Sequence, residues 1–292
     1  MKKKINRSLC VLLFTGLTMQ AFSQRLFVHV DGGAINYGGD LQSKVFTLDQ
    51  SNSFLGGGLY YKISDHFALE GSFGFGKLAA SDAKTKSETY RRNLSFYSNI
   101  TEGSLMVHAN LKDVPGSGKF TPYITTGIAV YHFNPYAYAL SSEKVYLQPL
   151  GTEGQGLPQY PDRKLYSLTQ LAIPFGGGLK YAITDNIIVG AEISFRKLFT
   201  DYIDDVSSDR YVDTGLLRIA RGPLTAKMSY RSDELSNPLD FTNALRRGNP
   251  DRNDAYYTIL LKLYITLGGN SGGGNVGEFK RMRRQSSCPP KL

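Results

Sequence analysis

Apolar side chains recur at every second position in several stretches of this 292-residue chain. In IIVGAEISFRKLF (187–199), Ile187, Val189, Ala191, Ile193 and Phe195 fall on one side, and Gly190, Glu192, Ser194 and Arg196 on the other. AYYTILLKLYITL (255–267) sets Tyr257, Ile259, Leu261, Leu263 and Ile265 against Tyr256, Thr258, Lys262 and Tyr264. FALEGSFGFG (67–76) sets Phe67, Leu69, Phe73 and Phe75 against Glu70, Ser72, Gly74 and Gly76. Period two marks strands whose two faces meet unlike environments. Such runs fall near 25–36, 53–63, 67–77, 95–111, 120–133, 167–183, 187–200 and 255–267.

The connections between these runs alternate in length. Short, turn-rich SDH, DVPGSGK and TDN join strands two and three, four and five, and six and seven. The others are long, at about 38–52, 78–94, 134–166 and 201–254. Short turns at one end and long loops at the other are the habit of outer-membrane barrels. Each run is long enough to cross a bilayer at a tilt, and closure would leave no unpaired edge in lipid. The expectation is an all-β chain: an eight-stranded antiparallel transmembrane outer-membrane β-barrel with long extracellular loops, both termini periplasmic. A soluble sandwich or lipocalin-like barrel would alternate too, with its apolar face inside. The glycines on the polar side (Gly56, Gly58, Gly74, Gly76, Gly176, Gly178) and the loop asymmetry favour the membrane form.

In the membrane form Asp31, Glu70, Glu102 and Glu192 point inward together with Lys62, Lys180, Arg196 and Lys262. Eight strands leave an interior that side chains fill. Balanced charges there predict a salt-bridged plug and not a diffusion pore.

Composition adds a compartment. MKKKINR followed by SLCVLLFTGLTMQAFSQ has the charged start, short apolar run and small residues of a secretory signal, placing residues 1–23 as signal peptide. The barrel then occupies 24–267. GGNSGGGN opens a flexible basic tail over 268–292. The net charge of +9 resides mostly at the two ends, with Lys280, Arg281, Arg283 and Arg284 crowded into the tail, so the body offers no nucleic-acid surface. With Cys10 in the signal, Cys288 is the one thiol of the processed chain. An odd cysteine in an oxidising compartment points to an intermolecular disulfide, or else to a free thiol or an incidental residue.

Candidate chemistry is sparse. Paired cysteines and HExxH are absent from the sequence, and His29, His66, His108 and His132 are scattered, so neither metal nor cofactor is expected. GNSGG (269–273) formally matches G-x-S-x-G, but no strand-to-helix turn would pin the serine. GTEGQG (151–156) resembles a phosphate loop only in glycine count. The acidic DYIDDVSSD, with Asp201, Asp204, Asp205 and Asp209, lacks the spacing of a calcium hand and reads as a solvated loop whose aspartates close local turns. No nucleophile is placed beside a base, which argues against a rim enzyme.

Several stretches resemble a family of Bacteroidota outer-membrane barrels that includes the PorG-like component of the type IX secretion system. They are LQPLGTEGQG (147–156), YSLTQLAIPFGGGLKYAITDN (166–186), SFRKLFTDYIDDVSSDRY (194–211), RGNP before the last strand, and Cys288–Pro289. The resemblance implies a membrane attachment for a periplasmic ring made of a PorK-like lipoprotein and a PorN-like partner. It also implies a disulfide from Cys288 to that lipoprotein. A surface-exposed structural or adhesive barrel is the alternative.

Overall fold

The computed structural model describes residues 26–267, apart from 43, 45–46, 85–87, 117 and 243–244. The segment expected to be a signal peptide (1–23), the basic tail expected over 268–292 and Cys288 lie outside the described residues.

Eight long strands form the wall: β1 (Leu26–Gly38), β2 (Asn52–Lys62), β3 (Phe67–Ser81), β4 (Ser95–Asn110), β5 (Phe120–His132), β8 (Thr169–Thr184), β9 (Ile187–Leu198) and β10 (Ala255–Thr266). Two short strands, β6 (Tyr136–Tyr138) and β7 (Lys144–Tyr146), make a hairpin that joins β4 through Tyr97 and Tyr136. Each wall strand pairs antiparallel with its neighbours, and β10 returns to β1 with Lys262 opposite Asp31. The sheet therefore closes as an eight-stranded antiparallel barrel. Closure matters because a free edge in lipid would leave backbone groups without partners.

Alternation sets which side chains face where. On β10, Tyr256, Thr258, Leu260, Lys262 and Tyr264 are buried inside. Leu261, Leu263 and Ile265 lie exposed on the outer wall, in company with Val30, Leu55, Phe73, Phe75, Ile124, Ile128, Leu171, Phe175 and Leu179. A continuous apolar exterior around a polar interior inverts the soluble arrangement and suits lipid. Glycine lets the narrow interior close: a Cβ on Gly58 would stand 1.9 Å from the Gly71 carbonyl oxygen, and one on Gly178 2.2 Å from that of Ala191.

Both described termini emerge at the short-turn end, beside the turns after β2, β4 and β8. The third strand runs four residues beyond its expected end, because Leu78 and Ala80 continue the inward alternation opposite Ser98 and Phe96 respectively. The larger departure is at the loop end. The 201–254 connection, expected as plain loop, contains α1 (Thr214–Arg221) and α2 (Pro223–Ser229). Asp213 caps α1 by accepting the Leu216 N–H at 2.9 Å, Gly222 ends it, and Pro223 starts α2 where no donor is needed.

Candidate functional site: the plugged barrel and its cap

The interior charges fall into two clusters. Near the short-turn end Lys262 Nζ donates to Glu70 Oε1 at 2.7 Å and Glu192 Oε2 at 3.2 Å. Tyr264 and Tyr123 hydroxyls donate to Glu70 and Glu192 at 3.2 and 2.7 Å. Lys180 lies over the rings of Tyr60 and Tyr123, with Tyr60 Oη 2.9 Å away. His29 and His108 join the cluster, the first 2.8 Å from Asp31 and the second 3.4 Å from Glu70. Nearer the loop end Arg196 grips Glu102 through two bonds of 3.1 and 2.9 Å, while the Tyr256 hydroxyl donates to the same carboxylate at 2.5 Å. Lys62 sits at the rim of the turn end, paired with Asp113.

Sheet pairing carries these side chains to one place: Lys262 lies in register with Gly190 and Asp31, neighbours to inward Glu192. A gap lined by Asp31, Glu70, Glu102, Glu192, Arg196 and Lys262 measures about 20 Å³. That is room for about one water. Removing one member of such a network strands its partner's charge in a low dielectric, which is why the inward pattern is so exacting.

Over the mouth the long loops fold into a cap. Ile35, Tyr37, Phe96 and Tyr131 from the wall pack with Phe133, Leu147, Tyr166, Ile203, Val206 and Met228 from the loops as one apolar core. Above it lies a buried polar core that the sequence reading missed. Gly151, Gly154 and Gly156 have φ of +61°, +75° and +76°, a backbone region that favours glycine, and their turns bury Thr152, Glu153 and Gln155. Glu153 accepts the Ser207 and Ser208 N–H groups, each at 3.0 Å, and pairs with Arg247. Arg247, also fully buried, donates to the Asp205 carbonyl at 2.9 Å. Asp205 takes bonds from Thr152 at 2.5 Å and Tyr166 at 2.7 Å. Arg92, held by Asp82 at 2.7 and 3.1 Å, donates on to the Asp40 and Arg247 carbonyls.

The acidic run is thus not solvated, contrary to the expectation from its composition. Asp201, Asp204 and Asp205 are buried, and Asp209 alone of the four is exposed. Local turn closure does occur, with the Val206 N–H donated to Asp204 at 2.9 Å. Burial pushes Asp205 up to about 6 against the pull of Arg247. Among the described residues no three His, Cys, Asp or Glu side chains gather as metal ligands. GTEGQG holds no phosphate-like arrangement; its role is to bring Glu153 to Arg247 and the serine amides. The RGNP stretch before β10 supplies that arginine, 94 positions from Glu153, and no local pattern in the sequence signals their contact.

Known proteins give partial company. The chain is similar in fold to neisserial surface protein A, at 9% identity and a TM-score of 0.42, covering 82% of this chain and 96% of that one. It is similar also to the attachment invasion locus protein of Yersinia pestis, at 9% identity and 0.39, covering 82% and 97%. The N-terminal β-barrel domain of Pseudomonas aeruginosa OprF aligns at 13% and 0.34, covering 82% and 96%. All are outer-membrane barrels, and no curated protein matches the sequence. One family model does match, over residues 3–220, which takes in seven of the eight wall strands. The chain belongs to the family described as a domain of unknown function, DUF6089.

Proposed function

We propose that this chain is a non-enzymatic outer-membrane barrel that acts as an anchor, attaching a periplasmic ring of the type IX secretion machinery to the membrane. The observation that carries the anchoring part is the closed lumen. Charge pairs fill the interior, and two loops cover the mouth through Glu153 and Arg247. A barrel so filled acts through its surfaces. Its apolar wall engages outer-membrane lipid, and the end bearing both termini is read as periplasmic. The secretion-specific part rests on the sequence resemblance in 147–156, 166–186 and 194–211 and on the terminal Cys288.

In this reading the tail, with Lys280, Arg281, Arg283 and Arg284, reaches an acidic periplasmic partner. Cys288 forms a disulfide with a PorK-like lipoprotein whose PorN-like companion completes the ring. Non-reducing electrophoresis of native membranes is expected to show a thiol-sensitive adduct that Cys288→Ser abolishes, and deletion of the chain is expected to block export of secreted cargo. Normal export in the deletion strain ends the reading. A second reading, a surface barrel working through its loop end, draws on Ile219, which stands 88% exposed on α1. Loss of binding or envelope integrity alone, with export intact, would favour it.

A further inference from the structure

The carboxyl groups of the cap outnumber the cations that answer them. Asp82 has Arg92 and Glu153 has Arg247. Asp201, Asp204 and Asp254 are buried with no ion pair among the described residues. The Tyr37 hydroxyl lies 2.6 Å from an oxygen of Asp204 and 2.8 Å from one of Asp254. A hydroxyl has one hydrogen to give. The second contact at that distance needs a proton on one of the two carboxyls. Asp254 also accepts the Ile203 N–H at 2.8 Å, which ties the 201–206 segment to the start of β10. Both oxygens of Asp201 are enclosed and have no hydrogen-bond partner of good geometry, although the residue is only 6% exposed. An ionised carboxylate so placed is among the costliest groups to bury, and a neutral acid far less so.

We propose that the cap is a proton-held lid: Asp201, Asp204 and Asp254 keep it shut over the barrel mouth as neutral acids and release it as the medium turns alkaline. The groups facing the cluster come from every element packed on it. Tyr37 is on β1, Asp40 follows β1, Arg92 belongs to the β3–β4 connection, Glu153 to the β7–β8 connection, and Arg246 lies near Asp40 before β10. Arg231, after α2, and Arg247 border the same gap as Asp204. These cations are already engaged, Arg92 by Asp82, Arg231 by Glu234 at 3.0 Å, Arg247 by Glu153, and Arg246 by Asp209 at 3.6 Å and the Gly248 carbonyl at 3.1 Å. Each further carboxylate therefore meets net repulsion. Among the described residues no three acidic side chains gather as metal ligands, and the two contacts of the Tyr37 hydroxyl already call for one proton within the cluster.

The directions agree. Burial pushes Asp254 up to about 8. Burial, then the charge of Asp254, pushes Asp201 up to about 9, with Ser207 the one group favouring its charged form. Burial and the charges of Asp254 and Asp40 hold Asp204 well above the usual range. The closed cap thus binds protons that an opened cap, with solvated aspartates, gives up. A group whose closed-state value is raised contributes stability that is complete below its ordinary value and lost as pH rises towards the raised one. The loss here runs upward through the neutral range, as Asp254 and Asp201 give up protons held to about 8 and about 9. Opening frees the 201–206 segment, and with it the Asp205 bonds to Thr152 and Tyr166 on the facing loop.

The test is hydrogen exchange of the intact barrel in nanodiscs between pH 6 and 9.5, with cap segments 148–157 and 201–211 referred to wall strands β3 and β4 to cancel the intrinsic pH dependence. The cap-to-wall ratio of opening is expected to rise about tenfold per pH unit for each proton released. Asp201→Asn with Asp254→Asn is expected to cut the rise to at most the single proton of Asp204 and to leave the cap less open at pH 9 than in the unaltered protein. Asp201→Asn alone, which removes no hydrogen bond of good geometry, provides the second variant should the double one fold poorly, and is expected to lower the slope. A flat ratio in the unaltered protein overturns the proposal. So does an undiminished slope in the single variant, or an added millimolar calcium that closes the cap at pH 9 while a chelator opens it at pH 6.

Discussion

Arg247→Met isolates the interaction on which the polar core of the cap turns. Arg247 is 2% exposed and meets Glu153, itself fully enclosed, in an ion pair between two loops separated by 94 positions in the chain. Methionine keeps much of the volume and removes the cation. Glu153 would retain the Ser207 and Ser208 amides and the Ser208 hydroxyl, the last donating at 2.8 Å, but its charge would lack a counterion in a site closed to water. Breaking a buried pair from one side costs about 3–5 kcal/mol. At 1.36 kcal/mol per decade that is roughly a 150- to 5,000-fold rise in the population of opened cap. Hydrogen exchange at a fixed pH near 7 reads this population directly when reclosing is fast. Segments 148–157 and 201–211 should speed up by that factor while β3 and β4 stay unchanged, since the wall has its own ladder of hydrogen bonds. Adding Glu153→Gln removes the stranded charge, and the double variant should recover at least half of the loss, giving a coupling that a double-mutant cycle can measure. A change of only a few-fold in the single variant, or an absence of recovery in the double, would refute the assignment of the cap's stability to this pair.

Three further outcomes follow from the wall and the interior. Leu261→Arg, at a position 72% exposed near the middle of β10, should lower the folding free energy in a bilayer by about 2–4 kcal/mol, measured by denaturant titration; no loss would mean that this face does not meet lipid. Lys262→Met leaves Glu70 and Glu192 facing each other without their shared cation, and should cost about 3–5 kcal/mol in the same titration. Adding Glu70→Gln should return part of that loss, and an unchanged double variant would break the reading of the plug. Tyr37→Phe removes the hydroxyl shared by Asp204 and Asp254 without emptying its place in the mouth, and is expected to cost about 1–3 kcal/mol of cap stability by exchange.

The alternation along the chain determined the eight wall strands, their inward and outward faces and the end at which the long loops gather. Period two has one geometric meaning, and in a closed wall each inward position faces the same crowded lumen, so Glu70, Glu102, Lys180, Glu192, Arg196 and Lys262 were legible from their neighbours alone. Only the tertiary structure decided the cap. Its chemistry depends on Glu153 meeting Arg247, on Asp205 meeting Tyr166, and on Tyr37 meeting two aspartates, the last across separations of 167 and 217 residues. Loops carry no period, so nothing local distinguishes an aspartate bound for water from one bound for a buried core. DYIDDVSSD has the composition of a solvated turn, and became an interior because two loops and the barrel mouth closed on it together and excluded water.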